Sequence, residues 1–139
     1  DGETPADDET PADDGTPADS ETTTETTGTT EQAAKLAADD GDSGDFFGTS
    51  VAVSSDGTTA LIGAANDEDP NGRAAGSAYV FDNSGGAWTQ QAKLAADDGD
   101  GGDDFGRSVA MSSATALIGA SDDEDPNGIG AGSAYVFNL

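Results

Sequence analysis

Apolar positions along this chain come in short, regularly placed blocks. Ser50-Val51-Ala52-Val53-Ser54 alternates, with Val51 and Val53 on one face, as a half-buried strand does. Asp56-Gly57 follows as a hairpin turn, since Gly accepts positive φ without steric cost. Thr59-Ala60-Leu61-Ile62-Gly63-Ala64 reads as a largely buried strand whose small residues permit close sheet-to-sheet approach. An acidic, Pro-containing loop leads to a third strand, Ser77-Ala78-Tyr79-Val80-Phe81. Asn83-Ser84-Gly85-Gly86 is the next turn, and Trp88-Thr89-Gln90-Gln91-Ala92-Lys93-Leu94 the fourth strand. A helical reading fails because no apolar stripe of period 3.6 runs for ten residues.

The blocks then recur. Lys35-Leu36-Ala37-Ala38-Asp39-Asp40-Gly41-Asp42 returns as Lys93-Leu94-Ala95-Ala96-Asp97-Asp98-Gly99-Asp100. Phe47-Gly48 returns as Phe105-Gly106, Leu61-Ile62-Gly63-Ala64 as Leu117-Ile118-Gly119-Ala120, and Gly76–Phe81 as Gly132–Phe137 without substitution. The spacing shortens from 58 to 56 residues where Ser54–Thr59 becomes Ser112–Thr115. A length change confined to a turn is what a loop tolerates and a strand does not. One supersecondary unit is therefore used twice.

Four antiparallel strands joined by tight turns make a propeller blade. The predicted fold is all-β: two four-stranded antiparallel propeller-blade repeats after a disordered acidic Thr/Pro-rich segment. The repeat units span about 47–96 and 105–139. A further strand is predicted at 31–38, because Gln32-Ala33-Ala34-Lys35-Leu36 is the counterpart of Gln90–Leu94, and it is placed to complete the last blade. Eight strands are thus predicted. Two blades cannot close a ring, since propellers typically use 4–8. The chain is accordingly read as a segment of a larger propeller, a self-associating half or a two-sheet unit. Exposed blade faces make the lone two-blade monomer the least comfortable of these.

Residues 1–30 change the picture at one end. They hold ten acids, ten Thr and three Pro but no Leu, Ile, Val or aromatic residue. Glu3-Thr4-Pro5-Ala6-Asp7-Asp8 repeats as Glu9–Asp14 and, changed at its two ends, as Gly15-Thr16-Pro17-Ala18-Asp19-Ser20 before a Thr-rich tract. Nothing here offsets an ordering entropy of roughly 1–2 kcal/mol per residue, so a disordered stalk or linker is predicted. The composition fits an O-glycosylated tether or an unmodified acidic spacer. The first residue is Asp, not Met, and the chain is read as processed or as a fragment.

Charge decides which functions are excluded. The 139 residues carry 29 Asp and Glu against 4 Lys and Arg, a net charge of −25. Residues 31–139 alone stand at −15. Four bases cannot neutralise a phosphate backbone, so nucleic acid is not a partner. No apolar run reaches the roughly 20 residues that would span a bilayer, and membrane insertion by this segment is not expected. With no Cys and no His, thiol nucleophiles, disulfides, the usual zinc sites and imidazole catalysis fall away. Self-repulsion of this size destabilises a compact state in dilute buffer and is screened at molar salt, where the Debye length is about 3 Å.

Phe-Gly, an alternating strand, Leu-Ile-Gly-Ala and Gly-Ser-Ala-Tyr-Val-Phe, in that order and twice over, resemble the FG-GAP repeat of integrin-α-like β-propellers across 31–139. The Gln-Ala-Lys-Leu-Ala-Ala-Asp-Asp-Gly-Asp phrase and the acidity look like cell-surface versions from halophilic archaea. The resemblance implies a secreted or cell-surface propeller, acting in adhesion or recognition and without catalysis. It supplies no ligand.

The same resemblance brings an Asp-rich calcium loop between the Phe-Gly strand and the Gly-Ala strand, which does not carry over: the place is taken by Ser54-Ser55-Asp56-Gly57-Thr58-Thr59, and by Ser112-Ser113-Ala114-Thr115, which offers no carboxylate. Oxygen donors do occur at alternate positions elsewhere, as Asp67, Asp69 and Asn71 before Gly72 and as Asp123, Asp125 and Asn127 before Gly128. That spacing turns side chains inward around a hard cation. The twelfth position, where a bidentate Glu belongs, is Ala78 or Ala134, so the loops read as weak Ca²⁺ sites or as solvated acidic turns. A second acidic cluster precedes each Phe-Gly, with Asp39, Asp40, Asp42 and Asp45, then Asp97, Asp98, Asp100, Asp103 and Asp104. Its interleaved glycines mark an inter-blade loop. Paired carboxylates can serve glycoside hydrolysis, but every loop is acidic and none stands out. The protein is expected not to be an enzyme. Phe47, Phe105, Tyr79, Tyr135, Phe81 and Phe137 occupy matched positions and are assigned to packing, as is Trp88.

The function predicted is an extracellular recognition or adhesion module for an unknown protein or glycan ligand, with other blades or a second copy as partners. The alternative is an accessory binding module of a secreted hydrolase.

Overall fold

A computed structural model describes residues 30–139. Seven strands follow one another: β1 (Phe47–Val53), β2 (Thr59–Ala64), β3 (Ser77–Asp82), β4 (Thr89–Leu94), β5 (Phe105–Ser112), β6 (Thr115–Ala120) and β7 (Ser133–Asn138). They form two antiparallel sheets, β1-β2-β3-β4 and β5-β6-β7. This is the all-β, two-repeat architecture expected, with four strands in one sheet and three in the other. The compact unit begins at Ala34. The stalk expected over 1–30 lies, but for its last residue, outside the described residues.

The strand expected at 31–38 is not formed: residues 30–38 join no ladder. A strand needs a neighbour to satisfy its N–H and C=O groups, and this segment runs over a sheet face rather than along a sheet edge. Leu36 and Ala38 pack instead on Ile62, Ala64, Tyr79 and Phe81, on one face of the first sheet.

Within each sheet the first ladder carries a bulge beside the Phe-Gly pair, between Phe47 and Ser50 and again between Phe105 and Ser108. Gly48 and Gly106 take φ of 95° and 93° there, which a side chain would strain. The β1–β2 turn is fastened by Asp56, whose carboxylate accepts from the Ser54 hydroxyl at 2.7 Å and the Thr58 N–H at 3.1 Å. The shorter β5–β6 turn pairs Ser112 with Thr115 and puts Ser113 at φ 52°.

Alternation sends odd and even residues of each strand to opposite faces. Leu61, Ala78 and Val80 leave the first sheet on one side, joined by Ala96, and meet Phe105, Ala116, Ile118 and Ala120 of the second. Leu61 and Ile118 are completely buried, each contributing about 1.5–3 kcal/mol. The other side of the first sheet buries Ile62, Ala64, Tyr79 and Phe81 under Leu36, Phe47, Ala60 and Trp88. Trp88 is thus a packing residue, as expected, but it stands just before β4, which begins at Thr89 and not at Trp88.

The sheets approach closely because glycine faces glycine. A Cβ on Gly63 would fall on the Gly106 carbonyl oxygen and the Ser50 hydroxyl. That hydroxyl donates to the Gly106 carbonyl at 2.7 Å, and the Phe105 N–H donates to the Ala75 carbonyl at 2.8 Å.

Candidate functional site

The two acidic loops of each repeat, far apart in sequence, meet at a tyrosine. Tyr79 stands on the central strand β3 and is 1% exposed. Its hydroxyl lies 2.8 Å from Asp40 Oδ1, in the loop before β1, and 2.8 Å from Asp67 Oδ2, in the loop after β2. One hydroxyl proton serves only one carboxylate at a time. The second charge is met by Lys93 on β4, whose Nζ is 2.6 Å from Asp40 and 2.9 Å from Asp67. The register pairs Tyr79 with Lys93 across the β3–β4 ladder, which fixes this geometry. The ammonium also lies 5.4 Å from the Tyr79 ring centroid, within cation–π range.

Ionisation follows the contacts. The Lys93 hydrogen bond leads in holding Asp40 below the usual carboxylate range. Burial pushes Asp67 upward, but bonds from Lys93, the Asp69 N–H, Tyr79 and Ser77 outweigh it and leave it low. Burial pulls Lys93 down, and the two carboxylates more than reverse this. Tyr79 is pushed well above its ordinary value by burial first, then by Asp67 and Asp40. It donates and does not ionise.

The second repeat builds the same arrangement without the cation. Tyr135 on β7 lies 2.9 Å from Asp98 and 2.8 Å from Asp123. No ion pair to either carboxylate exists among the described residues. Asp123 is 2% exposed. Its carboxyl is held low by the Ser133 hydroxyl first, then by the Asp125 N–H and Tyr135. Nearby Asp103 is pushed upward by burial, with the Asp123, Asp100 and Asp98 charges adding to it.

The six candidate metal donors divide between structural tasks. Asp67 Oδ1 accepts from the Asp69 N–H at 2.9 Å, while Oδ2 faces Tyr79 and Lys93. The Asp69 carbonyl accepts from the Ser77 hydroxyl, and the Asn71 amide donates to the Ala96 carbonyl at 2.9 Å. Asp123 and Asp125 repeat the first two bonds with Ser133, and Asn127 is exposed. Among the described residues no three Asp or Glu carboxylates are grouped to hold a metal ion. Asp45 and Asp103, in the second pair of clusters, accept from the Asp42 and Asp100 N–H groups and close their own turns.

Sequence reasoning assigned Tyr79 and Tyr135 to packing and left Lys93 without a role. The available signal was the recurrence of Tyr, not Phe, on the third strand, together with Lys in a chain almost without bases. No curated protein matches this sequence. The FG-GAP repeat matches residues 30–81 and 88–137, so that its two copies cover both sheets and both tyrosine–aspartate clusters. The chain belongs to the FG-GAP repeat family.

Proposed function

We propose that the chain is a non-catalytic extracellular recognition or adhesion module of the β-propeller type. The observation that carries this reading is the pair of FG-GAP repeats on an all-β fold. FG-GAP repeats are generally non-catalytic and typically occur in extracellular proteins. No helix among the described residues is long and apolar enough to cross a membrane. The acids at the two tyrosines support the same reading, because their carboxylates are engaged with tyrosine, lysine and backbone donors. The strongly acidic surface suits a concentrated-salt exterior, where its self-repulsion is screened. Weak Ca²⁺ binding at the Asp123 loop, which has no paired ammonium among the described residues, is a lesser part of the proposal.

The test is adhesion in molar salt. Beads coated with the chain should attach to intact cells of the source organism, and soluble chain should compete them off. Retention on an insoluble polysaccharide but not on cells would favour the accessory module of a secreted hydrolase. Attachment no greater than that of uncoated beads to both would overturn the reading.

A further inference from the structure

We infer that the groove beside Trp88 binds a neutral saccharide, with one pyranose ring stacked on the indole. The inference rests on the recognition reading and deepens it, naming a ligand class and a place for it.

The groove, of about 380 Å³, runs between residues 35–39 and the β3–β4 pair. Small-molecule clefts occupy roughly 300–1,000 Å³. It is a seam between packed segments, not a bare sheet face. Leu36 and Ala38 from one wall and Trp88 from the other pack on the same cluster, which includes Phe81. The Asp39 N–H donates to the Gln90 amide oxygen at 2.9 Å, from one wall to the other. Asp40, next along, is tied to Lys93 and Tyr79. A ligand therefore meets walls already fixed, which lowers the ordering cost of binding.

Packing accounts for part of Trp88 and not for all of it. It is the chain's one Trp and is only partly buried. By the spacing that relates Lys35 to Lys93, the matching position in the preceding copy is Thr30, so the repeat does not demand an aromatic there. The polar groups around it have unused capacity. Gln90 spends its amide oxygen on Asp39, and its N–H₂ has no partner among the described residues. The indole N–H has none among them either, and it is not buried away from solvent. Lys35 and Asp39 are exposed along the same groove and form no ion pair among the described residues.

A sugar ring matches this mixture. Its C–H face suits an aromatic plane, and each of its hydroxyls both donates and accepts. Gln90, Trp88 and Lys35 supply donors, and the Asp39 carboxylate supplies an acceptor. An apolar peptide anchor would instead leave the Gln90 and Trp88 N–H groups covered and unpaired, which is costly. Anions are repelled by a chain of net charge −25. At molar salt, attraction between charges is screened beyond about 3 Å, whereas stacking and hydrogen bonding act at contact.

Because Trp88 is the chain's one Trp, its fluorescence reports on this groove alone. The experiment titrates the full chain in molar KCl with neutral oligosaccharides of glucose, mannose, galactose and N-acetylglucosamine, and with an oligouronate as the charged control. At least one neutral oligosaccharide should shift the emission saturably by about 10 mM, and the oligouronate should not. Calorimetry with that sugar should show Trp88→Ala abolishing binding. That change also loosens the apolar cluster, so Asp39→Ala and Gln90→Ala, with circular dichroism unchanged, serve as the second measure. Each should weaken binding at least about threefold. No saturable shift with any neutral sugar, an oligouronate that binds as tightly, or Asp39 and Gln90 variants that bind like wild type would each overturn the inference. Beads that attach to cells while every sugar leaves Trp88 unchanged would overturn the groove and keep the recognition reading. Saturable sugar binding without attachment to cells would support the groove and count against adhesion.

Discussion

Lys93 Nζ lies 2.9 Å from Asp67, a carboxylate whose side chain is only 5% exposed, and one β-ladder pairing holds it there beside Tyr79. Removing the ammonium leaves Asp67 and Asp40 to share one hydroxyl proton. A fully buried pair broken this way costs about 3–5 kcal/mol, and exposure on the Asp40 side reduces this. Lys93→Met should therefore lose about 2 kcal/mol in urea unfolding at neutral pH, and a loss below about 0.5 would refute the assignment.

The pH dependence of that loss is set by the signs of the shifts. Asp40 and Asp67 are held low in the folded chain, so their stabilisation is present above the ordinary carboxyl value near 3.9 and disappears as pH falls through the folded values. Lys93 is held high, so its share is present below about 10.4 and disappears as pH rises through the folded value. The stability gap between wild type and Lys93→Met should be widest from about pH 5 to pH 9 and narrow on both sides. A gap constant from pH 2 to pH 11 would mean that Lys93 acts by packing alone.

Gly63 and Gly119 occupy the same repeat position with different surroundings. Gly63→Ala drives a methyl onto the Gly106 backbone and should cost about 1–3 kcal/mol by overpacking. Gly119→Ala meets a movable Ser108 side chain and should cost less than half as much in the monomer. Equal thermal shifts for the two variants would contradict the close contact between sheets.

The melting temperature should climb steadily from dilute buffer to molar KCl, because residues 31–139 carry a net charge of −15. A flat or falling response would remove the argument for a concentrated-salt environment.

Calcium should distinguish the two acidic loops. At Asp67 it must displace Lys93; at Asp123 no ammonium among the described residues stands in its way. Calorimetry in moderate salt should show binding no tighter than about 10⁻⁴–10⁻³ M, abolished by Asp123→Ala and retained in Asp67→Ala. If wild type and both variants titrate alike, the loops are acidic turns.

Seven of the eight expected strands formed because alternation, turn glycines and repetition all specify them locally. β1 differs in its start: it begins at Phe47, where a glycine bulge at Gly48 lets pairing resume at Ser50. The eighth depends on a partner strand, which no pattern inside residues 31–38 can supply. The cluster at Tyr79 was less legible. Asp40, Asp67, Tyr79 and Lys93 lie on four separate segments, and two acids among 29 carry no contrast. What joins them is the β3–β4 register, a tertiary fact.

That register has a consequence for how such a chain grows. The second family match starts at residue 88, ahead of β4, yet β4 hydrogen-bonds to β3 of the first sheet. The unit that is duplicated and the unit that folds are out of phase by one strand. Inserting a whole sequence repeat therefore hands every interior sheet its edge strand and every interior tyrosine its lysine, with no new interface to invent. Excision between residues 81 and 88 instead strips both from the repeat left behind. The phase offset makes lengthening simple and clean dissection difficult.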